Sequence, residues 1–283
     1  MTMLYNETMP EQLEALEKSG KFISQRKVDG DNFKVICKNI QYANGSTRTI
    51  QLINRHDNNY TRQFPEIIAG IGVSKNVNCV LNGEIAYWNE AKQIYDFNLF
   101  RGRQGLQKDR DIMRRRLMYP CKIYVFDLIE YNGTNMTNNP DFPFERRYSL
   151  LKMIVRNNNV TELLPIRKDL VTHFKEECEA GREGIMVKRL DNIYVDGRTK
   201  SILKCKNWHY TDIEFTGFED NNAGITMTNE QGDRVLVAGK KSEFVRAMIM
   251  QSGSALCKIR HLQERTENNR LREPTFKEVE IEV

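Results

Sequence analysis

Lys27 and Asp29 stand two residues apart in Gln25-Arg26-Lys27-Val28-Asp29-Gly30, just before a turn glycine. A lysine becomes a nucleophile when burial or nearby cations lower its pKa, and a glycine lets the backbone turn close to a phosphate. In a strand, the two side chains would share a face. A polar hairpin explains the same tetrad equally well, so its surroundings must decide. Four histidines, His56, His173, His209 and His261, form no recognisable catalytic pattern and read as surface or structural residues.

The elements that would position this tetrad are short. Leu13 and Leu16 after Pro10 have helical spacing. Residues 21–52 break into β-rich segments such as Phe33-Lys34-Val35-Ile36-Cys37, separated by Asp-Gly and Asn-Gly turn signals, and read as antiparallel hairpins. The β-branched and aromatic content of residues 79–88 and 122–129 predicts further strands. Residues 109–119 carry Arg114, Arg115 and Arg116 and predict a helix with a solvated basic face. Residues 149–155 and 170–180 also read as helices, the second stopped by Gly181. Beyond His209 the pattern turns to short strands at residues 212–218, 224–228 and 234–238, as a small β-barrel would.

The chain has 283 residues, enough for one large and one small domain. Its 40% hydrophobic and 29% charged fractions suit a globular protein, and no apolar run approaches the roughly 20 residues that span a bilayer. No secretory signal is visible in residues 1–10, so the cytoplasm is the expected location, with no membrane partner. Six scattered cysteines never approach a CxxC spacing, which argues against a zinc site and for reduced, buried thiols. Through His209 there are 33 of the 43 basic and 25 of the 38 acidic residues, a net of +8 against −3 for the remainder. A basic excess of that size permits phosphate contacts with nucleic acid without requiring them.

Five further segments follow Lys27 in a fixed order. They are residues 52–66, with Arg55 ahead of Tyr60-Thr61 and Phe64-Pro65-Glu66; Asn82-Gly83-Glu84; Tyr124-Val125-Phe126-Asp127-Leu128; Glu183-Gly184-Ile185-Met186-Val187-Lys188; and Leu203-Lys204-Cys205-Lys206. In this order the chain resembles the covalent nucleotidyltransferase superfamily of DNA ligases, RNA ligases and mRNA capping enzymes, and among these the compact, phage-like ATP-dependent DNA ligases. The resemblance covers residues 21–206 and extends more loosely beyond. It implies an α+β nucleotidyltransferase domain, ATP-grasp-like with antiparallel sheets and helices, over residues 1–209, and an OB-fold barrel over residues 210–283. Such chemistry relies on charge stabilisation around a phosphate more than on elaborate covalent machinery, so positive residues should converge.

The resemblance also implies roles. Lys27 forms the phosphoramide with AMP, and Lys204 and Lys206 contact the α-phosphate. Gln25, Asp29, Gly30, Glu84, Phe126, Glu183, Met186 and Lys188 line the nucleotide site, Glu84 on the ribose and Phe126 and Met186 on the two faces of adenine. Glu183 is the metal-facing carboxylate for Mg²⁺ or another divalent cation. Read as residues alone, Phe126 and Met186 suit core packing, Glu183 a surface ion pair, and the two C-terminal lysines a solvated strand face. Arg55, Arg101 and Arg103 are candidate DNA-phosphate contacts, Arg55 from the ligase-like segment and the others from charge beside Gly102. ATP is the expected donor, because 26 residues before Lys27 are too few for a nicotinamide-recognition domain. Nicked duplex DNA is the expected partner of a monomeric enzyme.

Three departures stand out. Asn82 replaces the usual aspartate, Asn32 occupies the place of an arginine five residues after the lysine, where Lys34 is a substitute, and the usual RxDK ending is not evident in residues 272–283. RNA ligation by the same chemistry and a non-catalytic nucleic-acid-binding relative therefore stand as alternatives to DNA nick sealing.

Overall fold

A computed structural model of the chain describes residues 3–42, 45–265 and 270–280, without the side chains of residues 263–265. The chain forms two units, Met1–Lys206 and Asn207–Val283.

Two sheets organise the first unit. The smaller contains β1 (Met3–Glu7), β2 (Phe22–Arg26), β8 (Gly184–Arg189) and β9 (Gly197–Lys206), in the order β1-β9-β8-β2. The larger contains β3 (Asp31–Tyr42), β4 (Gly45–Asn54), β5 (Cys79–Ala86), β6 (Lys122–Tyr131) and β7 (Thr161–Leu163), ordered β7-β6-β5-β3-β4, with the two-residue strand Thr134–Asn135 on β6. The pairing is antiparallel except for β1 with β9 and β7 with β6. The hairpin expected within residues 21–52 is present as β3 and β4, while Asn44 of its turn lies outside the described residues.

Alternation sets the two faces of each sheet. In the large sheet, Phe33, Val35, Leu81, Ile85, Ile123 and Val125 enter a core shared with Phe64 and Ile67, Phe100, and Leu151 from three helices or their edges, α2 (Pro65–Gly70), α3 (Phe97–Gln104) and α5 (Phe144–Ile154). In the small sheet, Ile185, Val187 and Cys205 pack against Leu13 of α1 (Leu13–Lys18) and Leu170 of α6 (Leu170–Glu179). The basic helix is present as α4 (Asp109–Met118), and Gly181 follows α6 with φ +68°, a conformation in which glycine avoids the Cβ penalty. Helix α5 begins five residues earlier than the sequence suggested, because Phe144, Arg147, Tyr148 and Leu151 form one buried stripe after Pro143.

In the second unit, β10 (Trp208–Phe215), β14 (Ala255–Arg265) and β15 (Leu271–Val279) form one antiparallel sheet. A second contains β11 (Gly217–Asn221), β12 (Gly224–Thr228) and β13 (Arg234–Ala238). Their inward residues, including Phe215, Ile225, Val237 and Ile259, share one core with Val245 and Ile249 of α7 (Lys240–Ser252). Sequence reasoning missed α7, since exposed Phe244 and Met250 blur its apolar stripe.

Candidate active site

The register of the small sheet explains how distant lysines reach one place. Cross-strand partners are Ile23, Lys188 and Ile202, then Gln25, Met186 and Lys204, on β2, β8 and β9. Lys27 continues that alternation one step beyond β2, with its N–H donating to the Gly184 carbonyl at 2.9 Å, and Gly184 pairs with Lys206. Period two therefore puts Gln25, Lys27, Met186, Lys188, Lys204 and Lys206 on one face, with Arg26, Ile185 and Cys205 on the other. Lys27 itself lies in the link after the strand, not within it.

Lys27 Nζ sits 2.7 Å from Glu183 Oε1, and Lys206 Nζ is 3.6 Å from the same oxygen. Burial works against the Lys27 charge, but Glu183, then Glu84 and Asp29, hold its pKa above the ordinary lysine value. At neutral pH this amine is cationic, and Glu183 is the carboxylate within hydrogen-bond reach of its proton.

The opposing wall comes from the large sheet. Asn32, Glu84 and Tyr124 are direct partners across β3, β5 and β6, as are Lys34 and Asn82 across β3 and β5. Burial pushes the Glu84 carboxyl up to about 8 against the pull of Lys27, with Asp31, Glu183 and Asp29 adding to the rise. Asn32 donates to the Gly83 carbonyl at 3.3 Å, so the residue standing in the arginine's place is tied to the strand beside Glu84. Asn82 is fully buried and donates to Tyr194 Oη at 3.1 Å. Asp127 in turn accepts both arms of the buried Arg147 guanidinium, at 2.7 and 3.0 Å.

Lys188 links the two sheets. Its Nζ donates to the Phe126 carbonyl at 3.4 Å and lies 4.6 Å from the Phe126 ring centroid, and burial lowers its pKa to about 8. Phe126 is only partly buried, beside Val28 and Tyr124. Gln25 donates to the Leu164 carbonyl at 3.0 Å, and its buried Oε1 has no hydrogen-bond partner among the described residues. Met186 packs near Met3, Tyr194 and Ile202. At Gly30 an added Cβ would fall 2.2 Å from the Ile85 carbonyl oxygen, so close approach to β5 accounts for this glycine without any phosphate.

Among the arginines, Arg55 is exposed, with its Nε donating to His56 Nε2 at 3.2 Å. Arg101 is exposed beside the Phe97 ring. Arg103 is not a phosphate contact. It is fully buried, bonded to both Glu66 oxygens at 2.5 and 3.1 Å and to the Gln63 and Tyr119 carbonyls, so it has no surface to offer DNA. At about 100° per residue, two steps along α3 turn Arg101 outward and Arg103 inward, a distinction that charge beside Gly102 could not supply.

Among the described residues no group of three or more His, Cys, Asp or Glu is arranged to hold a metal ion. No helix among the described residues is long and apolar enough to cross a membrane.

The family model for the ATP dependent DNA ligase domain matches residues 3–206. A probable DNA ligase of Saccharopolyspora erythraea is 27% identical over 71% of this chain and 36% of its own length. A DNA ligase of Sulfolobus acidocaldarius is 28% identical over 63% of this chain and 29% of its own. The chain thus spans about a third of the length of the curated relatives it matches. Among solved structures, the ligase domain of M. tuberculosis LigD aligns with TM-score 0.56 and 17% identity, covering 99% of this chain and 94% of that one. A Lig E DNA ligase described as binding DNA with a minimal scaffold aligns with TM-score 0.62 and 12% identity, covering 99% and 98%. These likenesses bear out the mixed α+β nucleotidyltransferase fold. With the family model extending from β1 to the last residue of β9, and so over both walls of the lysine-lined cleft, the chain belongs to the family of ATP-dependent DNA ligase domains.

Proposed function

We propose that this protein is an ATP-dependent DNA ligase that seals nicks in duplex DNA through a lysyl-AMP intermediate. The observation that carries the reading is the single-faced array of Lys27, Lys188, Lys204 and Lys206, with Lys27 and Lys206 on Glu183 and with Glu84 acting on Lys27 from the other sheet. Three cations besides the nucleophile suit a triphosphate, and the half-buried Glu84 carboxyl suits a ribose hydroxyl.

In this reading the Lys27 amine gives up its proton and attacks the α-phosphate of ATP. The N–P bond forms, the bond to the β-phosphate breaks, and pyrophosphate leaves. Lys204 and Lys206 stabilise the charge that builds on the phosphate oxygens. Phe126 and Met186 flank adenine, Gln25 Oε1 accepts from its exocyclic amine, and Lys188 adds positive charge at the cleft. Asp29 and Gly30 shape the loop that holds Lys27. AMP then passes to the 5′-phosphate of the nick, and the 3′-hydroxyl displaces it. A divalent cation held at Glu183, Mg²⁺ being the natural choice, would supply further charge to the phosphates when bound.

The first unit, residues 1–206, acts as the adenylyltransferase domain and the second, residues 207–283, as an OB-fold barrel, the division expected at residue 209 falling inside β10; two three-stranded antiparallel sheets around one core support the barrel. Arg55 and Arg101 contact DNA phosphates, and the enzyme works as a monomer. Five buried free thiols, Cys37, Cys79, Cys121, Cys205 and Cys257, suit the reducing cytoplasm.

Incubation with α-labelled ATP or GTP and Mg²⁺ tests the chemistry. The parent chain acquires covalent label from ATP, and folded Lys27→Ala acquires none. Equal labelling of that variant would refute the assignment of the nucleophile. Sealing of nicked RNA in preference to nicked DNA would move the substrate to RNA.

A further inference from the structure

Lys27 and Glu183, the pair at the centre of the proposed chemistry, both lie outside regular strands, one residue past the end of β2 and one before the start of β8. A ladder fixes the side chains within it, whereas a nucleophile in a link needs other anchors. The residues that immediately precede them, Arg26 and Arg182, converge on the same carboxylate. Arg182 donates from Nε to Glu177 Oε2 at 2.6 Å and from Nη2 to Oε1 at 3.0 Å. Arg26 Nε lies 3.3 Å from Glu177 Oε2, and its Nη1 donates to Tyr95 Oη at 3.1 Å.

Glu177 is built for this position. Its side chain is 3% exposed on α6, behind the small sheet, where alternation sends Arg26 while Lys27 points into the cleft. The Arg182 N–H also donates to the Glu177 main-chain carbonyl at 2.9 Å, folding the end of α6 onto the turn that leads to Glu183. His173 extends the network, with Nε2 3.6 Å from Glu177 Oε1 and Nδ1 2.8 Å from Ser24 Oγ on β2. Burial alone would raise the Glu177 pKa, but the bonds from His173 and Arg182 and the charge of Arg26 hold it well below the usual carboxylate range.

We propose that Glu177 is a positioning residue for adenylyl transfer, gripping Arg26 and Arg182 from the back of the sheet and so fixing Lys27 against Glu183. The proposal rests on the lysyl-AMP reading. Glu177 lies behind the small sheet, away from the face proposed to take the nucleotide; Phe126 and Glu84 belong to the other sheet, and Gln25 and Met186, the other adenine groups, are held as a cross-strand pair within the β2–β8 ladder. Loss of Glu177 therefore acts on the chemical step more than on ATP binding.

The test is single-turnover self-adenylylation of the full chain over a range of ATP concentrations, with thermal melts alongside. Glu177→Gln keeps the shape and removes the charge. The rate constant at saturating ATP should fall about 10- to 100-fold, the range a displacement of about 1 Å can produce, with the half-saturating ATP concentration changed less than about threefold. Glu176→Gln, on the same helix as Glu177, breaks an exposed ion pair with Arg167 and should leave both unchanged. Should Glu177→Gln not fold, Arg182→Lys keeps a cation but loses the two-armed grip, and should lower the saturated rate alone by about 3- to 10-fold. A parental rate constant in the folded variant, or a loss no larger than its unfolded fraction, would overturn the proposal. Absence of label on the parent chain would instead overturn the lysyl-AMP reading, and the proposal with it.

Discussion

Glu84 makes the candidate site a source of pH-dependent instability. In the folded chain its carboxyl titrates at about 8, against 4.5 for an ordinary glutamate. Between those values the folded state holds a proton that the unfolded state has released, so stability falls as pH rises through the window and the loss is complete above about 8. The gap, about 3.5 pH units at roughly 1.4 kcal/mol each, caps the effect near 5 kcal/mol. Glu84 is only partly buried, and water at the cleft reduces this to about 2–3 kcal/mol. Glu84→Gln removes the titration, so it should match the parent near pH 4.5 and exceed it by that amount at pH 9. At roughly 2–4 °C per kcal/mol for a domain of this size, the difference is about 5–10 °C in melting temperature. Thermal and urea unfolding across pH 4.5–9 in the absence of nucleotide measure it. Parallel curves for the two proteins would refute the assignment of the elevated pKa to Glu84.

The arginines separate into structural and binding roles. Arg103→Ala strands the buried Glu66 carboxylate and should cost roughly 3–5 kcal/mol in urea denaturation, with nicked-DNA binding unaltered where the variant remains folded. A variant as stable as the parent but with a shallower salt dependence of DNA binding would reinstate Arg103 as a phosphate contact. Arg55→Ala should leave Lys27 adenylylation near normal, weaken binding to nicked DNA, and reduce its salt slope by about one counterion. Loss confined to adenylylation would place Arg55 at the nucleotide instead.

Much of the candidate site was legible because its residue types are those that phosphate chemistry would call for and its strands follow period-two patterning. Lys27, Glu84, Glu183, Lys204 and Lys206 could each be named from short segments, yet only the register of β2, β8 and β9 explains why lysines from three strands share a face. Charge alone gave the wrong role to Arg103, since a guanidinium beside a glycine reads identically whether it faces water or a buried carboxylate. Glu177 escaped notice for a related reason. It lies 151 residues from Arg26 and within an amphipathic helix rich in glutamates, where no local pattern marks the one that turns inward. Gly30 was legible as a special position, but its cause is the neighbouring strand's carbonyl.

The order in which the small sheet is stitched together bears on how the cleft comes into being. Its outer strand Met3–Glu7 pairs in parallel with Gly197–Lys206, and β2 joins β8 across a comparable stretch of chain, while all five main strands of the large sheet lie between. On a ribosome, the large sheet can be complete while β1 and β2 still wait for partners that have not been made. The lysines of the cleft meet only after β9 emerges, because closing so long a loop must precede any reward from the contacts it brings. A chain interrupted before residue 197 therefore holds Lys27 and Glu84 but lacks the strand that carries Lys204 and Lys206, so the full set of residues proposed to act on a nucleotide is among the last things the first unit acquires during synthesis.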